Sequence, residues 1–215
     1  MAISYQSDTS PIYAGNFAAL NTLVVNDVLV LGASIMNACF DSASDRADAE
    51  ARYLALGKTV SVSEQAVGGW KSLDLLSNLT SILSSFSGIE STTLVVIHIG
   101  GNDISTYGPY PGGASNLDVN LRSICEQVKS EGFLLALSTV TYRIPPASNP
   151  SDPYNTNVVN NIISEFSDIP LDLYTLTFDE QATWYSGDGI HPSTAGENTT
   201  RQYIAEQTVK YMVLD

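Results

Sequence analysis

Asp188 precedes His191 by three residues in Asp188-Gly189-Ile190-His191-Pro192, and the protein has only one other histidine, His98. A carboxylate held against an imidazole fixes its tautomer. The ring then serves as a general base for a serine hydroxyl. A candidate hydroxyl lies far upstream. The apolar run Val28-Leu29-Val30-Leu31 stops at Gly32-Ala33-Ser34, as a buried strand does at a small-residue turn. Such a turn presents its next side chain at the carboxyl edge of an open α/β sheet, where ligands bind. Two more glycine breaks follow strand-like segments, Gly68-Gly69 and Gly100-Gly101-Asn102-Asp103. The plainer alternatives are that Ser34 caps a helix and that Asp188 closes a turn before a helix near Pro192.

Strand-like and helix-like segments alternate along the chain, which predicts a parallel sheet covered on both faces. Strands are expected at 28–31, 59–65, 94–99, 133–137 and 169–173. Helices are expected at 45–56, capped by Ser44; on the stripe Leu73, Leu76, Leu79 and Leu83; at 117–131, capped by Asn116; at 155–166; and at 195–212. Loops at 105–115, 141–152 and 175–188 all begin at the carboxyl edge, where substrate contacts belong. Residues 1–20 match no core element and read as an arm or linker, with one domain over 21–215.

Four blocks in order, Gly-Ala-Ser-Ile at Ser34, Val-Gly-Gly-Trp at Gly69, Gly-Gly-Asn-Asp at Asn102 and Asp-Gly-Ile-His-Pro at His191, span most of the chain. Together they resemble the SGNH hydrolases, the GDSL esterase/lipase family. The sequence departs from the usual motif at Ala33, where the family commonly has aspartate. The resemblance implies a three-layer α/β/α, flavodoxin-like fold with a central five-stranded parallel sheet. It implies an esterase using Ser34, His191 and Asp188 as a triad. Ser34 and Gly69 would supply backbone N–H groups, and Asn102 a side-chain amide, to an oxyanion hole. Gly68 stays an alternative donor. Trp70, Tyr107, Tyr142, Arg143 and Trp184 are the candidate substrate-binding side chains, because they follow the site blocks or decorate the carboxyl-edge loops.

His98, inside an apolar strand, reads as a core residue rather than a second base. Asp103 reads as a buried structural acceptor. Cys39 and Cys125 read as two buried thiols, and two histidines with two scattered cysteines make no metal site. No cofactor is expected. A net charge of −14 disfavours nucleic acid and anionic membranes. No apolar run approaches the roughly 18 residues of a membrane span, and no signal peptide is visible. Secreted and cytoplasmic locations both stay open, as does oligomeric state. The expected partner is a small-molecule or glycan ester with a short acyl group. A glycan-binding module that kept the fold without the chemistry, and an acyltransferase using the same acyl-enzyme, are the competing readings.

Overall fold

In the computed structural model, residues 22–144 and 150–215 are described. The arm expected over residues 1–20 lies outside them, as do residues 145–149 of the loop after the fourth strand. The sheet contains β1 (Asp27–Gly32), β2 (Ser61–Glu64), β3 (Thr93–His98), β4 (Leu134–Ser138) and β5 (Ile169–Leu171). All neighbours pair in parallel, in the order β2-β1-β3-β4-β5. The strand order reverses beside β1, so a crevice opens at the carboxyl ends of β1 and β3.

Strand side chains alternate between two apolar layers, as the pleat requires. Leu29, Leu31, Val95, Ile97, Leu135 and Leu137 meet one helical layer, while Val28, Val30, Leu94, Val96 and Ala136 meet the other. The second layer holds α1 (Ser34–Phe40) and α2 (Ala43–Ala55). The first holds α3 (Ser72–Ser85). After β3 come α4 (Gly101–Tyr107) and α5 (Ala114–Ser130). After β4 come α6 (Asp152–Tyr154), a π-helical turn Asn155–Val159, and α7 (Asn160–Phe166). The last elements are α8 (Leu173–Asp179), α9 (Gln181–Trp184) and α10 (Thr194–Val209). Each fully buried leucine, such as Leu79, contributes roughly 2 kcal/mol of burial free energy. No described helix is long and apolar enough to cross a membrane.

Several element boundaries differ from expectation for local reasons. Ser42, not Ser44, caps α2, because its Oγ accepts the Asp45 N–H at 3.1 Å. Gly113 precedes α5, so Asn116 lies inside its first turn. The buried stripe of α3 is Leu75, Leu79, Ile82 and Leu83, while Leu73 is half exposed. Strand β5 stops at Leu171 because Asp172 turns the chain into α8, its carboxylate accepting the Thr175 N–H at 3.1 Å. That helix and α9 occupy most of the expected loop at 175–188.

The two ends of the described chain meet at the opposite, amino edge of the sheet. Leu23 bridges Met212 in parallel. Asp215 pairs with Lys58 at 2.6 Å and accepts the Thr59 N–H, just before β2.

Candidate active site

Ser34 is the first residue of α1, directly after β1. A Cβ at Gly32 would lie 2.3 Å from the His98 carbonyl oxygen. Only glycine therefore allows β1 to pass β3 so closely and still turn into the helix. As the first helical amide, the Ser34 N–H has no intrahelical acceptor.

His191 comes from the loop between α9 and α10. Asp188 organises it from three directions. Its Oδ1 accepts the backbone N–H groups of Ile190 and His191, each at 2.8 Å, and its Oδ2 meets His191 Nδ1 at 2.6 Å. His191 Nε2 lies 2.9 Å from Ser34 Oγ. With Nδ1–H donating to the carboxylate, Nε2 is the acceptor facing the hydroxyl. Partial burial acts to raise the Asp188 carboxyl. Hydrogen bonds from the His191 ring and then from the two backbone amides outweigh it and hold Asp188 well below the usual carboxylate range.

The other two blocks are tied to each other. Gly69 has φ +86°, and no atom of the described residues crowds its Cβ position, so its left-handed backbone, not lack of space, demands glycine. Asn102, the second residue of α4, donates from Nδ2 to the Trp70 carbonyl at 2.9 Å. Next to it, the buried Asp103 accepts from Ser72 N at 2.9 Å and from Ser72 Oγ at 2.5 Å. Asn120 in turn donates to Ser72 Oγ. Burial raises the Asp103 carboxyl, partly offset by the Ser72 bonds. These contacts fix the Gly69 segment against the start of α4, as a structural role for Asp103 requires.

Ser34 opens onto a cavity of about 20 Å³ lined by Ala33, Ile35, His98, Ile99, Asn102 and Arg143, among others. Of the five aromatic and cationic candidates, only Arg143 lines it. Trp184 does not reach the site as expected: it is 1% exposed, lies in the core and donates its indole N–H to Thr200. Its carbonyl accepts the Ser193 N–H at 2.6 Å, so it anchors the histidine loop. The Tyr142 ring packs edge-on against Tyr174 and Phe178. Trp70 packs on the core, and Tyr107 is exposed at the end of α4. Sequence reasoning missed Thr141 and Ile190 as cavity residues. Thr141 and Arg143 are two apart in the segment that follows β4, and that spacing is the one signal that would have grouped them.

His98 is 2% exposed, as a core residue should be. Its Nε2 receives the Thr141 N–H at 3.4 Å, and its Nδ1 has no hydrogen-bond partner among the described residues. Burial pushes the imidazole down to about 4. The unfolded chain therefore binds this proton first, near pH 6.5. The stability from keeping His98 neutral is complete above about pH 6.5 and is lost as pH falls toward 4, about 3 kcal/mol in all. Urea melts of wild type and His98→Gln at pH 7 and 4.5 check this. The wild type should lose about 2 kcal/mol more than the variant between the two; equal losses would remove His98 from the acid response. Cys39 and Cys125 are buried free thiols, both pushed up to about 12, chiefly by desolvation.

Residues 30–198 match the GDSL-like lipase/acylhydrolase family. The chain belongs to that family. This family is the SGNH group whose four blocks the sequence displays, and the fold of solved structures agrees. The psychrotrophic esterase EstA from Pseudoalteromonas sp., in a structure inhibited by monoethylphosphonate, superposes with a TM-score of 0.69 at 17% identity. It covers 86% of this chain and 98% of its own. Axe2, an acetylxylan esterase from Geobacillus stearothermophilus, gives 0.68 at 19% identity, covering 90% and 99%. The lipase/acylhydrolase from Enterococcus faecalis gives 0.66 at 16%, covering 86% and 96%. No curated protein sequence matches the chain.

Proposed function

We propose that this GDSL-like hydrolase cleaves carboxylic esters of short acyl groups through an acyl-enzyme on Ser34, with O-acetyl groups of carbohydrate among its substrates. The observation that carries the reading is the hydrogen-bonded chain Ser34–His191–Asp188 beside the small cavity. Ser34 Oγ attacks the acyl carbonyl while His191 Nε2 takes its proton, and Asp188 stabilises the resulting imidazolium. The Ser34 and Gly69 N–H groups and the Asn102 amide hold the tetrahedral oxyanion. Collapse expels the alcohol, protonated by His191. Water, deprotonated by the same nitrogen, then attacks the acyl-enzyme and releases the acid.

The acyl preference rests on volume. A cavity of about 20 Å³ holds about one water-sized group, enough for the methyl of an acetyl ester. A lipid-binding groove would instead gain about 0.8 kcal/mol with every methylene. Likeness to an acetylxylan esterase supports the carbohydrate reading. Hydrolysis of p-nitrophenyl esters from two to sixteen carbons, below aggregation, tests it. The rate should peak at two to four carbons and fall sharply beyond about eight; a maximum at ten or longer rejects the short-chain reading.

A further inference from the structure

Arg143 is 4% exposed and, among the described residues, pairs with no carboxylate. The other arginine buried to the same degree, Arg201, is paired with both Asp45 and Asp48. Removing an unpaired guanidinium from water is costly, and an apolar side chain would fill such a site more cheaply. What Arg143 does with its donors is specific. Nη1 donates to the Gly101 carbonyl at 2.6 Å and Nη2 to Ser105 Oγ at 2.8 Å. These are the first and fifth residues of α4, and Asn102 is the second. The planar fork thus spans one turn of the helix that carries the oxyanion amide.

Asn102 and Asp103 tie that helix to Trp70 and Ser72 on one side, and Arg143 ties it on the side of the cavity. It has seven residues, and its cap Gly100 offers no side chain to its free amides. Helices this short are marginal without tertiary support. Arg143 is itself held from the histidine side of the site. The Tyr142 N–H donates to Thr177 Oγ1 at 2.8 Å, the Tyr185 hydroxyl donates to the Tyr142 carbonyl, and the Ile144 N–H donates to the Gly189 carbonyl at 3.1 Å. The residue therefore joins the loop of Asp188 and His191 to the helix of Asn102.

We propose that Arg143 is a positioning residue for the oxyanion donor: its guanidinium clamps the first turn of α4 and fixes Asn102 relative to Ser34 and His191. This rests on the ester-hydrolysis reading. A donor displaced by about 1 Å loses roughly 10²-fold in rate.

The test is a double-mutant cycle on p-nitrophenyl acetate, with wild type, Arg143→Met, Asn102→Ala and the double variant. Arg143→Met should lower kcat by roughly 30- to 100-fold and leave KM within about threefold, because the lost contact acts in the transition state. In the Asn102→Ala background the same substitution should cost less than about threefold, since the group it positions is gone. Arg143→Lys keeps one donor and should recover part of the rate. Labelling of Ser34 by a p-nitrophenyl alkylphosphonate, followed by mass spectrometry, should slow in parallel. Equal losses in both backgrounds overturn the proposal, as does a loss confined to KM, which would place the guanidinium on the substrate. If thermal melts show that Arg143→Met does not fold, the cycle with Arg143→Lys decides by the same criterion. A wild type that labels at Ser34 but hydrolyses no ester sinks the esterase reading alone, and the cycle is then read on labelling rates. A wild type that does neither removes both.

Discussion

Replacing Ser34 by alanine should lower kcat for p-nitrophenyl acetate by on the order of 10⁴- to 10⁶-fold, and His191→Ala should do the same. On the proposed mechanism the two side chains act as one unit. Without the hydroxyl there is nothing for Nε2 to deprotonate across its 2.9 Å contact, and without the imidazole the hydroxyl stays a weak nucleophile. The double variant should therefore be no slower than either single one, within about threefold. Stability should hardly change. Both side chains sit at the open edge of the sheet, outside the two apolar layers, and each substitution leaves the core intact. Initial rates together with thermal melts make the measurement. Near-wild-type turnover by Ser34→Ala would assign the nucleophile elsewhere, and losses that multiply in the double variant would mean the pair does not act together.

The second large effect belongs to Asn102. Its amide has two N–H groups, and one is spent on the Trp70 carbonyl. That bond fixes the plane of the amide, and on the proposed mechanism the other N–H meets the oxyanion. Asn102→Ala should reduce kcat by about 10²- to 10³-fold with little change in KM, because the charge it meets exists only in the transition state. Asn102→Asp should be at least as slow, since a carboxylate has the same shape but no donor and adds a like charge. Steady-state kinetics over a full substrate range separates the two parameters. A rise in KM at constant kcat would instead give Asn102 a role in ground-state binding.

The sheet and its order of elements were legible because β1 and β3 are buried on both faces and so read as unbroken apolar runs. The four site blocks were legible for a related reason. The glycines at 32 and 69 answer to backbone constraints that only that residue meets, and His191 and Asp188 are close enough in sequence for one loop to bring together. What failed were choices between near-equivalent neighbours. Ser42 and Ser44 are both able caps, and only the placement of the Asp45 amide decides between them. Trp184 looked like a loop aromatic because nothing local shows that α8 and α9 fold the segment inward, where Thr200 on α10 receives its indole. Arg143 was visible as a loop cation, but its partners lie about forty residues upstream. Contacts of that span depend on the packing of the whole sheet.

The meeting of the two ends of the described chain at the amino edge of the sheet has a practical side. Strand β1 is six residues long, so about 20 Å of sheet separates that edge from the one that carries Ser34. A carrier, surface or fluorescent protein attached after Asp215 is joined at the edge remote from Ser34. Immobilised through Asp215, the molecule presents Ser34 and His191 outward.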